Sequence, residues 1–236
     1  MDFTKLDFVR WEAPVAPPLE ESDVPPLPTG IKDLDERIGG GLHPGSVYRL
    51  SGRPAQGKTT CALAIARCVA LGVDHAGQPM RDGHNRPHPV LLFSLELPMD
   101  QVVQRLLGGS TDTAGREMLT DVADLRVIAE NIALNTSDLA RAPFFVDTTA
   151  PLDVSEILTR VCDMKMRHGI ELVIIDYLQL CSYRQFAALG RQAESSAMLP
   201  ALQKLASGLR LSVIVLEQAS RAAIPDSKLI NPTNYK

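Results

Sequence analysis

Between Ser46 and Gly72 the sequence SVYRLSGRPAQGKTTCALAIARCVALG joins a strand pattern to a helix pattern through a glycine-bearing turn. Gly52, Gly57, Lys58 and Thr59 fit G-x-x-x-x-G-K-[ST]. Glycines let such a loop wrap so closely that its backbone N–H groups face phosphate oxygens, and the following helix adds its positive end. Context matters as much as spacing. A strand leads in, and a helix with Ala62, Leu63, Ala66, Val69 and Val73 at helical intervals leads out. Gly52, Arg53, Pro54, Ala55, Gln56, Gly57, Lys58, Thr59 and Thr60 are therefore the expected nucleotide cradle, and the alternative is a bare turn. Lys58 is placed to reach the β- and γ-phosphates and Thr59 to ligate Mg²⁺.

The same alternation continues along the chain. PVLLFS (89–94), PFFVD (143–147), ELVIID (171–176) and LSVIVLE (211–217) read as buried strands. Between them lie helical stretches, with Pro98 in the first turn of one and Asp153 capping another whose inward residues are Val154, Ile157, Leu158, Val161 and Met164. Pro200 is expected either to kink a later helix or to mark its effective start. IKDLDERIG, from Ile31, reads as a short helix before the first of these strands. Repeated strand–helix alternation implies an α/β fold, a mainly parallel sheet with helices on both faces. Ligands bind such sheets beyond the carboxyl ends of the strands, where every polar motif discussed here falls.

Three segments follow from composition. Residues 1–28 are an opening segment whose APVAPPLEESDVPPLP stretch should be extended, with Phe3, Leu6, Phe8 and Trp11 forming a sticky face or a frayed terminus. Residues 29–221 form the α/β domain, and 222–236 are a tail. Residues 74–89 read as a solvated polar loop. Its His84 and His88 have metal-like spacing, but prolines flank them and no third ligand is evident.

Net charge −4 and a pI near 5.7 argue against a broad basic face for duplex DNA, while leaving room for basic residues focused in a pore. Cys61, Cys68, Cys162 and Cys181 sit in apolar stretches without C-x-x-C spacing and read as core residues in a reducing cytoplasm. No apolar run suggests a secretion signal or a membrane span, so the expected location is cytoplasmic.

Three further side chains complete a candidate constellation. Asp176 ends the apolar run LVIID, where a carboxylate needs a cation or hydrogen-bond partner; a Mg²⁺-bound water beside Thr59 would supply one, and the alternative is a strand-end aspartate capping a turn. Glu96 ends PVLLFSLE. If its strand lies beside the phosphate-loop strand, its carboxylate can orient and deprotonate an attacking water; the alternative is a helix-start acid stabilised by the dipole. Gln218 follows the last strand and suits a γ-phosphate sensor. A phosphate loop, a magnesium aspartate and a base favour hydrolysis over passive binding.

With these residues placed, a resemblance becomes specific. LPTGIKDLDERIGGGLHPGSVYRLSGRPAQGKTT, LLFSLELPMDQVVQRLL, APFFVDTTAPLDVSEI, LVIIDYLQL and LPALQKLASGLRLSVIVLEQASR resemble, in order, the blocks of the C-terminal ATPase domain of DnaB-type replicative helicases. The resemblance covers most of residues 27–221. It implies a RecA-like core, a hexameric homo-oligomeric ring, ATP with Mg²⁺ held between subunits, and single-stranded DNA in the channel. It matches Lys58 and Thr59 to the phosphate and magnesium contacts, Glu96 to the catalytic base, Asp176 to the second acid and Gln218 to the sensor. Arg184 and Arg191 fall in the part that meets DNA, although a basic residue there can also be simply solvated.

The departures are equally specific. Gln56, Glu217 and Pro200 are local oddities. AAIPDSKLINPTNYK offers no counterpart to the strand that supplies a cationic finger to a neighbour's ATP, so slow hydrolysis is expected unless Arg210, Arg221 or a full-length relative supplies one. The expected function is an ATP-dependent DNA helicase motor domain, possible truncation included. The alternatives are a non-unwinding partner of a helicase ring and a recombinase-like ATPase of the same fold.

Overall fold

A computed structural model describes residues 10–12, 24–80, 86–108 and 137–218. Its strands are β1 (Arg10–Glu12), β2 (Val47–Gly52), β3 (Val90–Ser94), β4 (Phe144–Asp147), β5 (Leu172–Asp176) and β6 (Ser212–Gln218). The helices that matter below are α1 (Lys32–Arg37), α2 (Lys58–Leu71), α3 (Met99–Gly108), α4 (Val154–His168) and α5 (Arg191–Leu209). Two 3₁₀ segments, Leu178–Leu180 and Arg184–Leu189, join β5 to α5.

The sheet order is β1-β2-β6-β5-β3-β4. Strands β2 to β6 pair in parallel, and β1 adds an antiparallel edge to β2 with Trp11 opposite Leu50. The apolar runs explain why these segments are central: every residue of β3 and of β5 is buried. Side chains alternate between two cores. Leu92, Ile174 and Ile214 pack with α2 and with Val102 and Leu106 of α3. Phe93, Val173, Ile175, Val213 and Val215 pack with Ile157 and Val161 of α4 and Met198 and Leu202 of α5. The helices thus cover both faces. Truncating a side chain as buried as Phe93 to alanine costs about 3–5 kcal/mol.

Local chemistry sets the helix ends. Asp153 caps α4 by accepting from the Ser155 N–H at 2.9 Å, and Lys165, Arg167 and His168 complement the dipole in its last turn. Gly72 ends α2 at φ +68, and a Cβ there would stand 2.9 Å from the Arg86 carbonyl, so both backbone and space demand glycine.

Several expectations need correction. The strand before Glu96 does not lie beside the phosphate-loop strand. β3 pairs with β4 and β5, and β5 and β6 stand between it and β2. Pro200 does not start its helix; α5 already runs from Arg191 and carries Pro200 inside, on an exposed position where one lost helical hydrogen bond is cheapest. The 74–89 stretch is not wholly solvated either. His88 is buried and its Nδ1 lies 2.8 Å from Glu171 Oε2, while Arg86 Nη2 donates to Glu171 Oε1 at 2.8 Å. That cluster sits at the edge of the sheet opposite the phosphate loop, and His84 lies outside the described residues.

In the opening segment, Leu27 exchanges both backbone hydrogen bonds with Leu42 and is buried in the core. Phe3, Leu6 and Phe8, the tail 222–236 and Arg221 lie outside the described residues. Cys61, Cys68 and Cys181 are buried, Cys162 is half-buried, and all four are free. No helix among the described residues is long and apolar enough to cross a membrane.

Candidate active site

The phosphate loop leaves β2 at Gly52 and enters α2 at Lys58. Gly57 is the N-cap at φ +82, and nothing lies within 4 Å of where a Cβ would stand. Its requirement for glycine is therefore conformational. Ala55 adopts a left-handed conformation too, at φ +61. Gln56, an oddity by sequence, braces the turn: its Oε1 accepts from the Arg53 N–H at 2.5 Å. Lys58 Nζ donates to the carbonyls of Gly52 at 2.8 Å and Arg53 at 2.9 Å, which holds the ammonium against the loop. Partial burial lowers its pKa from 10.5, while Asp176 and Glu96 push it back up. Arg53, Pro54 and Ala55 are exposed and Thr60 is half-buried.

Asp176 closes β5, paired in register with Ser94 of β3, and its backbone carbonyl accepts from the Leu95 N–H at 2.7 Å. Its side chain is buried. Burial drives its pKa from 3.8 up to about 6, despite a hydrogen bond from Thr59; Glu96 adds to the rise, and Lys58 and Arg105 oppose it. Glu96 stands exposed just past the end of β3, close enough to act electrostatically on both Lys58 and Asp176. Gln218 is the last residue of β6 and sits in register with Gly52, the first glycine of the loop. The ends of β2, β3, β5 and β6 thus bring together Lys58, Thr59, Glu96, Asp176 and Gln218.

A group of three or more His, Cys, Asp or Glu side chains able to hold a metal is absent among the described residues. The Thr59 hydroxyl and the Asp176 carboxylate are hard oxygen donors next to a phosphate loop. They suit Mg²⁺, which takes few protein ligands and completes its shell with water and phosphate oxygens.

Arg184 and Arg191 both lie on the connection that follows Asp176. Arg184 is engaged with Asp153: its backbone N–H donates to Oδ2 at 2.8 Å, and its Nε lies 3.9 Å from the same oxygen with the side chain 77% exposed. Burial raises the Asp153 carboxyl, but hydrogen bonds from Arg184, Ser155 and Ser182 outweigh it and leave the pKa below 3.8. Arg191 is the first residue of α5. Arg210 caps the far end of that helix, before β6 begins, and so stands at the sheet edge opposite the phosphate loop.

Sequence reading missed two residues, Arg105 and Glu194, and the partner of a third, Glu217. Arg105 on α3 acts electrostatically on Asp176. The flanking Val102 and Leu106 phase that helix, but only the sheet order places it near β5. Glu217 is the partner of Arg49, whose Nε donates to it at 3.1 Å with Nη2 on the same oxygen, tying the end of β6 to β2 one residue before Gln218. Glu194 is buried, and nothing in its local sequence signals this.

Comparison with known proteins gives the family and the fold. The model of the DnaB-like helicase C terminal domain matches residues 26–228. The replicative DNA helicase DnaB of Leifsonia xyli subsp. xyli is 34% identical over 195 residues, covering 83% of this chain and 39% of that protein. The replicative DNA helicase DnaC of Bacillus subtilis is 29% identical over 204 residues, covering 85% of this chain and 41% of that protein. This chain therefore spans about two fifths of the length of these curated relatives. Among solved structures, the ATPase domain of G40P superposes with a TM-score of 0.64 at 23% identity, covering 86% of this chain and 66% of that one. A DnaB-like replicative helicase, solved in a study of its interactions with primase, gives the same TM-score and identity over 86% of this chain and 45% of that one.

Proposed function

This chain belongs to the DnaB-like helicase C-terminal domain family, and from that premise we propose that it is an ATP-hydrolysing motor domain acting on single-stranded DNA. The observation that carries the reading is the meeting of Lys58, Asp176, Glu96 and Gln218 at the carboxyl ends of four strands around one phosphate loop.

The loop amides and the α2 N-terminus hold the triphosphate, and Lys58 swings from the Gly52 and Arg53 carbonyls to the β- and γ-phosphates. Thr59 and Asp176 would hold Mg²⁺, which would supply positive charge to offset that of the phosphates. Glu96 accepts the proton of a water aligned on the γ-phosphorus. Gln218, fixed beside Gly52 by the β2–β6 register, contacts the γ-phosphate and feels its departure through β6.

In a ring with ATP between subunits, a cation from a neighbouring subunit, such as a full-length relative, would complete the charge neutralisation. Arg184 and Arg191, on the connection after Asp176, are the proposed contacts to the DNA backbone. The deciding measurement is ATP turnover with and without oligothymidylate. Stimulation by the oligonucleotide is the expected result. Turnover that ignores it, in a preparation that binds ATP, would leave a nucleotide-binding protein without a DNA motor.

A further inference from the structure

Two buried carboxylates take no part in the phosphate chemistry: Asp153, 5% exposed, and Glu194, 6% exposed. Both converge on the few residues after the Asp176 strand. Asp153 Oδ1 serves α4, accepting from the Ser155 N–H at 2.9 Å and its hydroxyl at 2.6 Å. Asp153 Oδ2 points elsewhere, accepting from the Ser182 hydroxyl at 3.2 Å and the Arg184 N–H at 2.8 Å. From the other side, Glu194 Oε1 on α5 accepts the Tyr183 N–H at 2.5 Å.

Three consecutive backbone donors are therefore held in three directions: Ser182 by the Leu152 carbonyl at 3.1 Å, Tyr183 by Glu194 and Arg184 by Asp153. The Val154 N–H returns to the Ser182 carbonyl at 2.8 Å, and the Tyr183 ring, itself buried, rests on Phe186 with centroids 4.8 Å apart.

Beyond this knot the chain changes character. Arg184–Leu189 is a 3₁₀ segment without a buried residue, and Leu189 is 71% exposed. Helix capping does not account for the acids. A serine at position 153 would cap α4 equally well, and a glutamate beyond the start of α5 is not needed as a cap. Burying a carboxylate is costly unless charged hydrogen bonds offset it, and here Ser155 and the root of an otherwise exposed segment supply them.

We propose that Asp153 and Glu194 are positioning residues: by gripping the Tyr183 and Arg184 amides they hold the 184–189 segment in place, so that Arg184 meets the phosphates of single-stranded DNA. This rests on the DNA reading given above and adds to it the two groups that set the segment's place. Arg184 contributes a guanidinium that is oriented by Asp153 yet mostly open to solvent.

The test uses the whole chain, a fluorescein-labelled oligothymidylate followed by anisotropy, ATP affinity by calorimetry, and hydrogen exchange at residues 182–184. Asp153→Ser keeps a capping oxygen and loses the second acceptor; Glu194→Ala loses its acceptor; Glu194→Gln retains one. Losing a charged acceptor from a buried N–H should weaken oligonucleotide binding about tenfold in Asp153→Ser and Glu194→Ala, with ATP affinity unchanged. Exchange at Tyr183 or Arg184 should accelerate in the same variants, and Glu194→Gln should bind within about twofold of the wild type, because a neutral oxygen still accepts.

Wild-type oligonucleotide affinity in both acceptor-loss variants, alongside weakened binding in Arg184→Ala, would overturn the proposal and leave the DNA reading intact. An Arg184→Ala variant that binds the oligonucleotide as the wild type does would remove the DNA reading for this segment and the proposal with it. Parallel losses of ATP and oligonucleotide affinity would show a general structural role and overturn it too.

Discussion

Replacing Asp176 with asparagine should stabilise the metal-free protein, and only above a defined pH. The carboxyl is 4% exposed, and burial raises its pKa from 3.8 to about 6 against the opposing pull of Thr59, Lys58 and Arg105. Between these values the folded chain keeps a proton that the unfolded chain has released. Bound protons are then more numerous in the native state, so stability falls as pH rises through the window. Above pH 6 the fold carries the full penalty, up to roughly 3 kcal/mol from the gap between 3.8 and about 6. Asparagine never ionises and still offers an oxygen to the Thr59 hydroxyl. Urea unfolding followed by circular dichroism, in chelator from pH 4 to 7.5, should show equal midpoints near pH 4. By pH 7 the variant should lead by up to roughly 3 kcal/mol. Adding Mg²⁺ and a nucleotide should stabilise the wild type and do much less for the variant. Parallel pH profiles for the two proteins would refute the claim that a buried, reluctant carboxylate awaits a cation here.

The remaining predictions concern the phosphate chemistry. Lys58→Ala should abolish nucleotide binding by calorimetry, because it removes the ammonium now held at 2.8 Å from the Gly52 carbonyl; unchanged affinity would refute its role. Glu96→Gln should bind ATP normally and lose turnover by about 10²-fold or more, since only the carboxylate can take the water's proton. Equal turnover in wild type and variant would return Glu96 to a helix-start acid. If a neighbouring copy completes each site, turnover per chain at saturating ATP should rise with protein concentration. Strict proportionality to wild-type concentration would mean that each chain works alone.

Much of this was legible because it depends on local chemistry. A phosphate loop needs its glycines and lysine contiguous, and β3 and β5 announce themselves as unbroken apolar runs because both faces of a parallel sheet are covered. Asp153 as a cap could be read from one residue and the helix behind it. What could not be read was strand order. Local pattern does not say that β6, last in the described chain, inserts beside β2, so the partnership of Arg49 with Glu217 and the influence of Arg105 on Asp176 were invisible. His88 looked like part of a polar loop because its neighbours are prolines, charges and glycines; its partner Glu171 lies far along the chain. Glu194 was hidden for the same reason in milder form, since a glutamate near a helix start is ordinarily solvated.

The failed expectation about Glu96 is the most informative of these. Placed beside the phosphate-loop strand, a glutamate would crowd its negative charge against the phosphates that the loop gathers. In the observed order β6 and β5 intervene, so β3 stands three strand spacings from β2, about 14 Å at the usual separation. Across that gap, at the same end of the sheet, lie Gln218 at the end of β6, Asp176 at the end of β5, and Lys58 with its ammonium held on the loop. A triphosphate seated on Gly52–Thr59 and extending over the ends of β6 and β5 would have its terminal phosphate between Lys58 and Glu96. On the proposed role, the carboxylate would then face the side from which water attacks, separated from the anionic substrate by the water it deprotonates. Distance from the loop is what lets an acid serve as base to an anion without repelling it. On the roles proposed here, the sheet order creates that distance by drawing the proposed base from one strand and the cradle from another, with the proposed metal and sensor residues on the two strands between.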